Sequence, residues 1–252
     1  MRAASARRRP ASLLALVALL VTASIAASAA AGPAADPPVV LAAASLTEAL
    51  PRIEPEGRYS FAGSNQLAQQ IRQGAPFDVF LSASPQYTRA LFAEGLVRRP
   101  VAFASNALVV IVPRSNPARI RSVRDLAKRP KLRLVVAGPK VPIGLYTREV
   151  LKRLGLLRVL RKAVSLEPDV KGIVGKVVLG EADAGFAYRT DVKPVAGKVR
   201  VIGLPASSQP TVSYEAAIAS SPRSLESAQA FLISLLGPAG RRELRAAGFG
   251  EP

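Results

Sequence analysis

Short apolar runs recur along the chain at Val39 to Leu41, Val79 to Leu81, Leu108 to Val112, Leu132 to Val136, Gly185 to Tyr188, Val199 to Ile202 and Ser213 to Ala219. Each reads as a strand. The stretches between them carry helical spacing and helix punctuation. Ser84-Pro85 is a cap followed by proline at the first helical position, and Gly95 closes that helix; Ser122 opens the next, and Gly155 and Gly180 close two more. Strands alternating with helices predict an α/β chain with largely parallel sheets.

The order of the runs suggests two lobes. The strand from Ala107 to Val112 ends in Pro113 and a polar stretch, Arg114-Ser115-Asn116-Pro117, and a change of lobe is expected near here. A second change is expected near Pro205 to Pro210, where Ala206-Ser207-Ser208-Gln209 separates two strand patterns. The helices Ser224 to Leu236 and Pro238 to Ala247 then return to the first lobe. The expected division is 36–107 with 210–252 as lobe 1 and 108–209 as lobe 2. A double crossover of this kind places a cleft between the lobes, although the residue pattern alone does not say what the cleft holds.

Composition narrows the chemistry. Arg2, Arg7, Arg8 and Arg9, an uncharged apolar run from about Leu13 to Ala27, and the small residues Ala27-Ser28-Ala29-Ala30-Ala31 stand in signal-peptide order. Residues 1–31 are therefore expected to be removed on export, by cleavage after Ala29 or Ala31. The apolar run is short and diluted against the roughly 20 residues of a membrane span. With no cysteine and no histidine, the chain has no disulfide, no thiolate metal site, no lipidated cysteine, no imidazole ligand and no Ser-His-Asp machinery. The formal charge of +18 falls by four, to +14, once those arginines leave. The remaining Lys and Arg are scattered with few aromatics between them, which reads as solvated helix faces and not as a nucleic-acid surface.

Two strand-to-helix turns carry candidate chemistry. In Leu41-Ala42-Ala43-Ala44-Ser45-Leu46-Thr47-Glu48, Ser45 and Glu48 have the spacing of a capping box. In Phe61-Ala62-Gly63-Ser64-Asn65-Gln66-Leu67-Ala68, Ser64 precedes an amphipathic helix. Serine-capped helix starts at neighbouring strand ends are either unrelated caps or an anion site built from free N–H groups and helix dipoles. The residues alone leave both open.

Across Val40 to Phe249 the chain resembles the periplasmic molybdate-binding proteins of ABC importers. The resemblance rests on six blocks in order: Ala42-Ala43-Ala44-Ser45-Leu46, Phe61-Ala62-Gly63-Ser64, Gly74-Ala75-Pro76-Phe77-Asp78-Val79-Phe80, Val141-Pro142-Ile143-Gly144-Leu145-Tyr146, Asp169-Val170-Lys171, and Gly180 to Asp191. It implies a two-lobed α/β periplasmic binding protein fold of type II, with two crossovers and the ligand cleft between the lobes. It also implies an oxyanion site of Ser45 and Ser64, donating from hydroxyl and backbone N–H, Ile143 and Val170, donating from backbone N–H, and Tyr188, donating from its phenol. The ligand would be molybdate or tungstate, with molybdenum bound only as the oxyanion. The partner would be a membrane ABC permease and the protein an exported, periplasmic monomer with no cofactor, no free metal cation and no catalytic residue.

Two alternatives stand beside this reading: a binding protein for another oxyanion such as sulfate, or an exported enzyme of the same fold. Ferric iron wants several anionic or imidazole ligands, and the relevant segment offers Tyr188 alone. Asp183 and Asp191 are carboxylates near Tyr188 with expected structural roles at a strand edge and a helix start. Lys140, beside the Val141-Pro142-Ile143 loop, is expected to be solvated, and Pro51 to cut short the helix after Ser45. Intact-mass measurement of the exported protein should show the loss of residues 1–29 or 1–31; a mass that retains Met1 through Ala29 would refute the assignment.

Overall fold

The computed structural model describes residues 36–252, so the expected signal segment at 1–31 lies outside the described residues. Ten strands form two five-stranded sheets. The first holds β1 (Val39–Ala43), β2 (Arg58–Ala62), β3 (Val79–Ser82), β4 (Val101–Asn106) and β10 (Val212–Ile218), in the order β2-β1-β3-β10-β4. The second holds β5 (Leu108–Pro113), β6 (Leu134–Ala137), β7 (Ala163–Glu167), β8 (Ala184–Tyr188) and β9 (Val199–Gly203), in the order β7-β6-β8-β5-β9. In chain order the α-helices are α1 (Leu50–Ile53), α2 (Ser64–Arg72), α3 (Pro85–Ala93), α4 (Asp125–Lys128), α5 (Pro142–Arg153), α6 (Val170–Val178), α7 (Arg189–Val192), α8 (Leu225–Leu236) and α9 (Pro238–Ala247). No helix among the described residues is long and apolar enough to cross a membrane.

The sheets are mixed, not largely parallel. β1 runs parallel to β2 and β3, and β6 parallel to β7 and β8. β10 is antiparallel to β3 and β4, and β5 antiparallel to β8 and β9. β5 and β10 are the strands that arrive directly from the other sheet, with no helical crossover to impose a parallel direction. The first passage occupies the single residue Ala107 between β4 and β5; the second lies between β9 and β10. Gln209, in the second passage, accepts from Leu108 N at 3.0 Å and donates to Leu108 O at 2.8 Å, which fastens the two passages side by side.

Helix punctuation follows the sequence in most places. Ser84 caps α3 by accepting from Gln86 N, and Gly95, Gly155 and Gly180 take the positive φ that ends a helix cheaply only at glycine. Ser122 does not open a helix. Asp125 accepts from Arg121 N and Ser122 N, both at 3.0 Å, and α4 begins at Asp125 itself. Pro51 sits in the first turn of α1, a helix of only four residues.

Two close approaches set the geometry at the strand tips. A Cβ on Gly144 in α5 would lie 2.1 Å from Gly138 O and 2.8 Å from Ala137 O, at the end of β6. A Cβ on Gly63, at the end of β2, would lie 2.5 Å from Pro168 O, which belongs to the second sheet's half of the chain. Polar contacts also join the halves: Asn106 Nδ2 donates to Thr190 Oγ1 at 3.0 Å and Tyr146 Oη to Ala83 O at 3.3 Å. Lys171 Nζ stands 3.3 Å from Asp191 Oδ1 and 3.8 Å from Glu48 Oε1. Asp191 is 1% exposed, and desolvation outweighs the opposing pull of Lys171, raising its carboxyl to about 6.

Gly144→Ala should cost about 1–3 kcal/mol of stability, because the added methyl meets backbone oxygens and not a flexible side chain; urea titration with an unchanged midpoint would show that α5 can shift freely. Asp191 carries a pH signature as well. Between the ordinary aspartate range and about pH 6 the folded protein keeps a proton there that the unfolded chain has lost, so this contribution to stability falls as pH rises through the window. Asp191→Asn should therefore gain on the wild type from pH 4 to pH 7 in parallel denaturation curves, and a constant gap would disprove the shift.

Candidate functional site

The parallel strands of the two sheets end against each other, and the loops that follow them enclose a small cavity. Ala43, Ala44 and Ser45 come from the end of β1, Ala62, Gly63 and Ser64 from β2, and Ala83 from β3. The other half supplies Val141, Pro142 and Ile143 after β6, Asp169 and Val170 after β7, and Tyr188 at the end of β8. Ligands of open α/β sheets sit at the carboxyl ends of strands for this reason: the loop, the next helix start and its free N–H groups all arrive there together. The cavity volume is about 20 Å³, space for one compact group.

Ser45, Ser64, Ile143, Val170 and Tyr188 all line this one cavity, the first two from the half built on the first sheet and the other three from the half built on the second. The local reasons differ from those expected for the serines. Ser45 does not form a capping box with Glu48. It lies inside the one-turn 3-10 helix Ala44–Leu46, whose cap position is Ala43 and has no side-chain cap, and its Oγ stands 2.8 Å from Tyr214 Oη. Ser64 is the first residue of α2, with Gly63 in the cap position. Its Oγ accepts from Ala83 N at 3.1 Å, so its own hydrogen remains for another acceptor.

Ile143 is the second residue of α5 and Val170 the first of α6, positions whose N–H groups the helix cannot pair. Pro142 at the start of α5 is compatible with this role, having no N–H itself. Asp169, the one carboxylate in the lining, caps α6, its Oδ1 accepting from Lys171 N at 2.8 Å and Gly172 N at 3.1 Å. Three helix N-termini, those of α2, α5 and α6, thus meet at the cavity and make it electropositive with no lysine or arginine in its wall.

Tyr188 is 2% exposed and its hydroxyl has no partner among the described residues. Its ring is held edge-on between Tyr146 and Tyr214, at centroid separations of 6.5 and 6.1 Å. Burial, reinforced by Tyr214, Tyr146 and Asp191, pushes the phenol well above its ordinary range, so it stays protonated and able to donate. Asp183 is occupied by Arg133, accepting from its backbone N at 2.8 Å and from Nη2 at 2.9 Å. The Lys140 side chain faces a separate groove with Tyr87, outside the cavity. No cluster of three or more His, Cys, Asp or Glu suited to a metal ion occurs among the described residues.

Three residues around the site escaped the sequence. Asp169 was legible in principle as an Asp before an apolar helical run; Tyr214 and Asn106 were not, since both are far from the cavity residues in the chain. The arrangement gathers neutral donors around one small cavity, suited to holding a small, fully deprotonated anion.

Comparison with known proteins agrees with this geometry. The family described as bacterial extracellular solute-binding protein matches residues 27–250. The molybdate-binding protein ModA of Mycobacterium tuberculosis is 36% identical over 224 residues, 85% of this chain and 84% of that one. ModA of Haemophilus influenzae is 32% identical over 229 residues, 83% of this chain and 88% of that one. The solved structure of the periplasmic molybdate-binding protein of Azotobacter vinelandii is similar with a TM-score of 0.74 at 22% identity, over 85% of this chain and 99% of that one, which is a likeness of fold. With two mixed sheets in the periplasmic binding protein arrangement and a family match over most of its length, the chain belongs to the bacterial extracellular solute-binding proteins.

Proposed function

We propose that the protein captures molybdate, or tungstate, outside the cytoplasm and delivers it to a membrane ABC permease. The observation that carries this reading is the Tyr188 hydroxyl, buried and unpartnered in a cavity that Ser45, Ser64, Ile143 and Val170 also line. In the bound state the hydroxyls of Ser45, Ser64 and Tyr188 and the backbone N–H groups of Ser45, Ser64, Ile143 and Val170 donate to the four oxygens. The relatives named molybdate-binding protein support the choice of anion. So does the chemistry: charge-assisted hydrogen bonds from neutral donors hold a dianion without the desolvation cost of burying lysine or arginine beside it.

The lobes in this reading are 36–107 with 210–252 and 108–209, and the signal segment is cleaved on export. Donors divided between lobes reach one anion only when the lobes meet, so binding and closure are a single event. The protein acts by binding and release, as a monomer, and carries out no reaction on its ligand. Sulfate has the same charge and no proton to donate, which leaves cavity size to separate it from molybdate. Hydrogenphosphate turns one O–H toward a lining rich in donors, where each oxygen of a fully deprotonated dianion can accept.

Calorimetric titration of the mature protein should give one site for molybdate and for tungstate, weaker binding of sulfate, and little of phosphate. Ser64→Ala and Tyr188→Phe should each lose about 1–3 kcal/mol, on the order of five- to a hundredfold in affinity. Lys140→Ala should change little, its charge being screened outside the cavity. Binding that needs Lys140 but neither Ser64 nor Tyr188 would show that the anion sits elsewhere.

A further inference from the structure

Behind Ser45 lies a chain of hydrogen bonds that reaches the first passage between the sheets. Asn106 Oδ1 accepts from Ala107 N at 2.9 Å, which fixes the amide so that its Nδ2 faces inward. That nitrogen donates one hydrogen to Thr190 Oγ1 at 3.0 Å and stands 3.4 Å from Tyr214 Oη, a long contact that the other hydrogen can make. Tyr214 is fully buried, its Oη 2.8 Å from Ser45 Oγ, and its ring packs edge-on against Phe103, Tyr188 and Phe249.

We propose that Tyr214 is a positioning residue that makes Ser45 a donor to the anion, because the Asn106 amide faces Tyr214 with hydrogens only and so directs the single Tyr214 hydrogen onto Ser45 Oγ. An amide nitrogen cannot accept, and the opposite arrangement would leave the Tyr214 hydrogen buried with nothing to receive it. With one of its two lone pairs occupied by the Tyr214 hydrogen, Ser45 has its own hydrogen left for the cavity. Burial also keeps the Tyr214 phenol protonated, since its pKa is raised. The polarity of the relay runs one way, Asn106 to Tyr214 to Ser45 to ligand, and each bond polarises the next.

This inference rests on the cavity's being an oxyanion site, and its test separates the two. Molybdate affinity is measured by calorimetry for the wild type, Ser45→Ala, Tyr214→Phe and the double variant, with a melting curve for each. Tyr214→Phe keeps the ring and should lower affinity about 5- to 30-fold, yet add almost nothing in the Ser45→Ala background, because it acts through that hydroxyl. Equal losses in both backgrounds would mark Tyr214 as merely structural, and no loss would overturn the relay. If Tyr214→Phe does not fold, Asn106→Ala leaves every ring in place and carries the same expectation and the same refutation. A wild-type protein that binds neither molybdate nor tungstate would overturn the functional reading itself.

Discussion

A helix cannot pair its own first N–H groups, and this constraint organises the site. Wherever α2, α5 and α6 begin, backbone donors must find a partner outside the helix. The fold places those three beginnings at the carboxyl ends of β2, β6 and β7, and the topology turns the two sets of strand ends toward one another. What is an unmet requirement for each helix becomes, collectively, a cage of donors. Asp169 shows the alternative outcome, for its carboxylate meets two of the N–H groups of α6 and leaves the first.

The charges confirm how much is done by neutral groups. Despite the strongly basic composition, no lysine or arginine lines the cavity, and some pair elsewhere, Arg72 with Glu94 at 2.7 Å and Arg133 with Asp183 at 2.9 Å. Lys171, next in sequence to the lining residue Val170, is turned to Asp191 and Glu48. Positive potential reaches the cavity through backbone dipoles that were fixed in folding, and these need no reorganisation when an anion arrives.

Much of this was legible in the chain, and the failures have physical causes. All seven apolar runs became strands, but β2, β4 and β7 were missed. Each lies at a sheet edge, where one side of the strand faces solvent and polar residues interrupt the run: Val164 and Leu166 of β7 are 59% and 61% exposed. Ser45 was singled out through a capping-box spacing that the structure does not use. Spacing reports on hydrogen bonds within a few residues, whereas the partner of Ser45 is Tyr214, brought across the first sheet by β10. The parallel-sheet expectation failed for a related reason, since nothing local reveals that β5 and β10 enter from the opposite half.

Gly63 contributes no polar atom to the cavity, yet it governs the cavity's calibre. Its missing side chain is the only reason the end of β2 can stand against Pro168 O, where a Cβ would be 2.5 Å away. A methyl group there would act as a spacer, pushing the β2 end that carries Ser64 away from the backbone at Pro168. The spacing of the two rims is thus set by a residue that meets the opposite backbone with no side chain at all.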